Sequence, residues 1–272
     1  MTGGFDWQGK VGDVWASESR RTDRSFTELT SRLHASIIAV APDTGRAVDI
    51  GCGAGETSIK LATAKPSLAV TGIDLSAGLL AIARSQAELT SNVTFVHDDA
   101  VTCAANCAPV DLYVSRHGVM FFDDPVAAFT SFRTAASPKS RMVFSCFRNW
   151  TLNSFAYEIG RLVENVAPKP DAPGPFAFAD KEKVAKILAD SGWKNAEAEA
   201  VDFSYIAGEG EDAVGDAVSF MLRIGPASRA IADAAENERP ALIDGLRGIC
   251  KDNLQGDRVL FPAAAWIWSA QV

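Results

Sequence analysis

Ala47-Val48-Asp49-Ile50-Gly51-Cys52-Gly53-Ala54-Gly55-Glu56 is the stretch that decides the fold. Apolar residues and one acid run into three glycines at alternate positions, and an amphipathic segment, Glu56 to Ala64, begins at once. That order predicts a strand, a tight glycine turn and a helix. Glycine has no Cβ, so the backbone turns sharply there and a ligand can lie against it. A glycine pattern alone is a weak signal, and its bland reading is a flexible connection with no ligand. A second apolar run, Leu68 to Ile73, ends in Asp74 and strengthens the ligand reading.

Working outward, strand and helix patterns alternate. Strands are predicted at Ala47–Ile50, Leu68–Asp74, Val93–Val96, Val110–Ser115, Arg141–Phe147, Ala196–Phe203 and Leu260–Ala270. Ser76, Asp124 (before Pro125) and Asp180 stand where helix N-caps belong. Ahead of the first strand, Phe26, Leu29, Leu33, Ile37 and Ile38 recur at helical spacing. Residues 1–44 therefore read as a helical cap, and 45–206 with 257–272 as the α/β core. The stretch 207–256 reads as a helical insertion that closes over the site like a lid, and 148–178 as a shorter, proline-rich one (Pro168, Pro170, Pro173, Pro175). One domain of 272 residues accounts for all of it.

Composition bounds the function. With 47% hydrophobic and 22% charged residues, the chain can bury a large core. A net charge of −8 argues against a nucleic-acid surface and against an anionic membrane. Five cysteines without a C-x-x-C pair predict reduced thiols in a cytoplasm, not a zinc site or disulfide framework. No apolar run is long enough to span a bilayer, and the N-terminus carries no signal segment.

Two cofactor classes use a strand, a glycine turn and a following acid. Dinucleotides want G-x-G-x-x-G, with pyrophosphate on the helix N-terminus. Here the third glycine comes one residue early and Glu56 stands in the dinucleotide position, where it would repel phosphate. The form Asp49-x-Gly51-x-Gly53-x-Gly55 resembles motif I of the class I S-adenosylmethionine-dependent methyltransferases. The segment Ser115 to Phe122 is similar to the one after strand four in the small-molecule, ubiquinone/menaquinone-type group. The resemblance implies a seven-stranded Rossmann-like sheet with helices on both faces and the last strand inserted antiparallel. It implies methyl transfer from S-adenosylmethionine, leaving S-adenosylhomocysteine, to oxygen, nitrogen or carbon of a small molecule or short peptide. The alternatives are a nicotinamide-dependent oxidoreductase and a non-catalytic cofactor-binding protein.

The same resemblance assigns residues. Gly51 and Gly53 approach the aminoacyl end of the cofactor, and Asp49 and Cys52 belong to the same cofactor-binding set. Asp74 accepts the ribose hydroxyls, since a carboxylate offers two acceptor oxygens to a vicinal diol, and Leu75 lies against adenine. Asp99, beside Ala100, accepts from the adenine amine; Asp98 is a candidate to share that role, and two solvated turn acids are the bland reading. The main chain at Arg116 meets the amino group, and its guanidinium is free for a carboxylate. His117 is the candidate general base, because it follows strand four and imidazole titrates near neutrality; a structural histidine is the alternative. Asp123-Asp124 could suggest a metal, but capping of the Pro125 helix explains Asp124 more simply, and no metal is expected.

Overall fold

The computed structural model describes residues 7–163 and 172–272; Pro168 and Pro170 of the proline-rich stretch lie outside the described residues. In chain order the elements are α1 (Lys10–Ser17), α2 (Ser19–Ser25), α3 (Thr27–Val40), β1 (Gly45–Ile50), α4 (Glu56–Ala64), β2 (Leu68–Asp74), α5 (Ala77–Gln86), β3 (Val93–His97), α6 (Ala100–Asn106) and β4 (Val110–Arg116). Then come α7 (Pro125–Ala135), β5 (Ala136–Phe147), α8 (Ser154–Leu162), α9 (Lys181–Asp190), β6 (Lys194–Glu209), α10 (Ala213–Met221), α11 (Pro226–Asp233), α12 (Arg239–Asp252), β7 (Leu254–Gln255) and β8 (Arg258–Gln271).

The sheet runs β3-β2-β1-β4-β5-β8-β6. β1 to β5 are parallel, and β8 enters antiparallel between β5 and β6. Helices cover both faces, so the central strands carry near-continuous apolar runs instead of alternation. Ala47 to Ile50 are all buried, as are Leu112 to Ser115. The chain winds one way from β1 through β3, then returns to add β4 and β5 on the other side of β1. The order reverses between β1 and β4, and in such sheets ligands enter at that point, beyond the carboxyl ends of the strands.

The predicted caps form. Ser76 Oγ accepts from the Leu79 N–H, Asp124 from Ala127 with Pro125 in the first turn, and Asp180 from Glu182 and Lys183. α3 buries Leu29, Leu33 and Ile37, four residues apart, as one stripe. The sheet exceeds the sequence-based expectation in several places, β5 starting already at Ala136 and β8 at Arg258. β6 continues past Phe203 to Glu209, because Tyr205 and Ala207 keep the alternate residues buried against β8. β7 is an eighth strand of two residues, paired to β8 through a turn at Gly256, whose φ is +62°. Both of its residues are exposed, so it leaves no hydrophobic pattern to find.

Candidate active site

The three turn glycines serve three different ends, all in left-handed backbone: φ is +64° at Gly51, +56° at Gly53 and +86° at Gly55. A Cβ on Gly51 would stand 3.1 Å from Gly118 Cα, so β1 and β4 leave the sheet back to back. A Cβ on Gly55 would meet the Phe95 ring at 2.8 Å and Ala83 at 2.9 Å, which is helix–strand packing. A Cβ on Gly53 would meet nothing within 4 Å. The middle glycine alone faces open space, as a cradle for a ligand would require.

That space is a cavity of about 220 Å³. A buried water needs only about 10–15 Å³, so the volume belongs to a small molecule. Asp49, Gly51, Cys52, Gly53, Asp74 and Leu75 line one side, and Asp99, Ala100, Arg116 and His117 close the rest of the predicted set. Five carboxylates border the cavity (Asp23, Asp49, Asp74, Asp98, Asp99) against one guanidinium, Arg116.

Two of those acids are prepared for a cationic or hydroxylic ligand in different ways. Asp74 Oδ2 accepts from the Gly53 N–H and Oδ1 from the Ser76 N–H, each at 2.8 Å. The carboxylate is thereby fixed at the mouth of the glycine turn, with lone pairs left over on both oxygens. Burial pushes its acidity weaker, against the pull of those N–H groups. Asp49 is buried, with Oδ2 accepting from Ser58 Oγ at 2.6 Å and Oδ1 without a partner. Desolvation pushes its carboxyl up to about 7. An unpaired buried carboxylate oxygen is costly, and a ligand ammonium would relieve it.

Asp99 has a structural duty as well: Oδ1 caps α6 through the Val101 and Thr102 N–H groups. Asp98 Oδ1 accepts from the Asp99 N–H. His97 Nε2 pairs with the Leu75 carbonyl at 2.9 Å and fastens the β2 and β3 ends together.

Arg116 departs from expectation. Its guanidinium is taken up by protein: Nη1 meets Glu56 and Thr30 Oγ1, and Nη2 meets Asp23. No ligand carboxylate is needed to neutralise it. Burial raises Glu56, but the charges of Arg116 and Lys60 outweigh that and hold it below its ordinary value. Glu56 therefore stands as an anion at the first position of α4, where a dinucleotide would place its pyrophosphate. Asp23 comes from α2, so this ion pair ties the N-terminal cap to the end of β4.

His117, the candidate base, sits in a setting that lowers its basicity. Burial first, and the adjacent Arg116 charge second, push its imidazole down to about 3. A base working near neutrality needs far more basicity than that. The ring is wedged edge-on to Phe147, centroids 4.2 Å apart, and near Phe26 at 5.2 Å. Its backbone φ is +61°, rare for a residue with a Cβ.

The cap supplies the cavity's apolar cover: Trp7, Trp15 and Phe26, with Phe121, Phe147 and Pro175 from the core side. The insertion 207–256, expected as the lid, contributes none of the described lining residues. It lies one layer further out. Asp216 of α10 pairs with Arg21 at 2.9 Å and Arg24 at 2.6 Å, and Arg223 pairs with Glu18. The insertion braces the cap, and the cap covers the cavity.

Asp23, Ser58, Phe26, Phe147 and Ser145 border or support the site and were not singled out from sequence. Each is an ordinary residue type in an ordinary pattern. Only the folded chain brings them to β1 and β4.

Comparison with known proteins agrees with this geometry. Residues 47–139 match a family model described as a methyltransferase domain. A malonyl-[acyl-carrier protein] O-methyltransferase of Geobacter sulfurreducens is 24% identical over 185 residues, 68% of this chain and 66% of that protein. A 27-O-demethylrifamycin SV methyltransferase of Amycolatopsis mediterranei is 37% identical over 90 residues, 32% of each. Against another malonyl-[acyl-carrier protein] O-methyltransferase, from Xylella fastidiosa, the chain spans only half of the relative's length. In fold, the chain is similar to the YcgJ protein of Bacillus subtilis, with a TM-score of 0.55 at 15% identity, covering 88% of this chain and 97% of that one. Phosphoethanolamine N-methyltransferase 2 of Haemonchus contortus, solved with S-adenosyl-L-methionine, gives 0.52 at 16% identity, covering 99% and 60%.

Proposed function

We propose that the chain is a class I S-adenosylmethionine-dependent methyltransferase that transfers the methyl group of that cofactor to a small, largely apolar acceptor molecule. The observation that carries this reading is the pairing of the open Gly53 with the orphaned Asp49 oxygen inside an acid-lined cavity. The cofactor supplies a cationic sulfonium and an ammonium, with no phosphate, and these residues suit both. When bound it brings an already activated methyl group, so positioning and water exclusion are what the protein adds.

The residues divide that work. Asp74 receives the ribose hydroxyls while its hold on the Gly53 N–H keeps the turn in shape. Asp49 receives the ammonium. Leu75, Asp98, Asp99 and Ala100 surround the adenine. Phe26, Phe147, Trp7 and Trp15 exclude water on the acceptor side, where His117 also borders the cavity. The O-methyltransferases among the relatives favour an oxygen acceptor. Five unpaired cysteines suit a cytoplasmic enzyme. Segment 207–256 acts through the cap it braces, as a brace of the lid.

Calorimetric titration with S-adenosylhomocysteine tests the cofactor half, with micromolar binding expected and NAD as the control. Turnover of methyl-labelled cofactor against a fractionated metabolite extract tests the transfer half. Failure to bind S-adenosylhomocysteine, or tighter binding of NAD, would refute the reading.

A further inference from the structure

We propose that Ser145 holds His117 in the Nε2–H tautomer, and that His117 offers this N–H to an oxygen of a bound molecule instead of removing a proton. The geometry begins at two adjacent strands. The His117 backbone N–H donates to the Ser145 carbonyl at 3.1 Å. The Ser145 hydroxyl lies 2.8 Å from His117 Nδ1. With Phe147 against its edge and Phe26 near its face, the ring has one orientation.

Counting protons then fixes the tautomer. Ser145 is fully buried, and among the described residues its hydroxyl meets only Nδ1. If the hydroxyl donates to Nδ1, both of those groups are satisfied and only Nε2–H is left over. If Nδ1–H donates to the hydroxyl, two groups are stranded: the serine proton and the Nε2 lone pair. Buried polar groups without partners are disfavoured, so the first arrangement holds. It leaves a neutral N–H donor on a residue that borders the cavity, with no protein partner for it. The low basicity of the ring agrees.

The chemical consequence concerns the ligand, and it rests on the methyl-transfer reading. A fixed N–H donor is matched by an oxygen lone pair: a carboxylate, a phenolate or a carbonyl. It is mismatched to an ammonium. Two oxygens qualify, one on the acceptor and one on the cofactor's own carboxylate. An acceptor already ionised before it binds needs no base, and none is then required of His117.

The test is heteronuclear NMR on protein labelled with ¹⁵N-histidine. The chain has three histidines, His34, His97 and His117, so substitution of the first two assigns the third. Protonated and unprotonated ring nitrogens are well separated in shift. In ligand-free protein, Nε2 is expected to carry the proton and Nδ1 none; the reverse would overturn the proposal. Ser145→Ala should abolish the single tautomer in favour of a mixture while near-native melting is retained. An unchanged tautomer in that variant would remove Ser145 from the role. If the variant does not fold, the wild-type assignment alone decides. S-adenosylhomocysteine is then added, followed by benzoate. Movement of the Nε2–H signal at the first addition assigns the oxygen to the cofactor's carboxylate; movement only at the second assigns it to the acceptor. No movement with either, while S-adenosylhomocysteine binds, overturns the ligand contact. Absence of binding refutes the functional reading and leaves the tautomer result standing.

Discussion

If Asp49 receives the cofactor's ammonium, as proposed, cofactor binding should release a proton. In the free protein its carboxyl is buried, held by Ser58 alone, and pushed up to about 7 by desolvation. A ligand ammonium at the vacant Oδ1 demands the ionised form. Below pH 7 the protonated fraction must therefore give up its proton. At pH 6 about nine molecules in ten carry it, so the apparent affinity should fall about tenfold, and about a hundredfold at pH 5. About 0.9 proton should be released per S-adenosylhomocysteine bound at pH 6, and almost none at pH 8. Calorimetry in buffers of different ionisation enthalpy reads that number directly. Asp74 and Asp23 are also shifted upward by burial, so the control is Asp49→Asn, which should flatten the acid limb. The variant should also bind more weakly at pH 8, by roughly 1.5–3 kcal/mol, the worth of a hydrogen bond to a charged group. Folding supplies an independent sign. A raised carboxyl favours the folded state when protonated, so this contribution is full below about pH 4 and lost as pH climbs to 7. The three-unit rise is worth on the order of 4 kcal/mol. Zero proton release at pH 6, or an acid limb that survives Asp49→Asn, would refute this account.

Asp74→Ala should weaken S-adenosylhomocysteine binding by about 2–4 kcal/mol in calorimetry, since it removes the ribose acceptor and also frees the Gly53 N–H. Gly53→Ala should cost folding only about 1–2 kcal/mol, the strain of a positive φ, yet impair binding because its Cβ enters the open cradle. Gly118→Ala should instead lower the melting temperature severely, because its Cβ would lie 2.5 Å from the Ile50 carbonyl. Arg116→Ala leaves Asp23 without its cation and Glu56 with Lys60 alone, so a loss of about 3 kcal/mol in urea unfolding is expected, with the cap's amides exchanging faster.

The fold was legible because parallel sheets write themselves in sequence. Buried strands appear as apolar runs, and their helices start at Ser76, Asp124 and Asp180, side chains that cap by short-range geometry. That Asp49, Gly53, Asp74 and Asp99 line one cavity was legible for the same reason: all stand at the carboxyl ends of recognisable strands. What stayed hidden depends on contacts distant in the chain. Arg116 reads as a free cation until Asp23 and Glu56 arrive, from 93 and 60 residues away. The burial of His117 against Phe26 and Phe147, and the Arg116 charge beside it, leave no mark in the sequence. The insertion 207–256 reads as a lid because long connections need a reason, and the reason lies one layer out, in the pairs from Asp216 to Arg21 and Arg24.

Glu56 joins the two halves of this design. As an anion at the start of α4 it would repel the phosphates that a glycine turn and a helix N-terminus otherwise attract. Without Arg116 it would also be a half-buried charge near Asp23, balanced by Lys60 alone. Arg116 bridges the two acids, and in doing so it is withdrawn from the ligand. The cavity consequently keeps its excess of carboxylates, although a guanidinium lies in its wall. The attachment of the cap thus depends on Arg116, whereas the acidic character of the cavity does not. Loss of Arg116 should accordingly disturb cap closure more than it disturbs the sign of the cavity, which would only become more acidic.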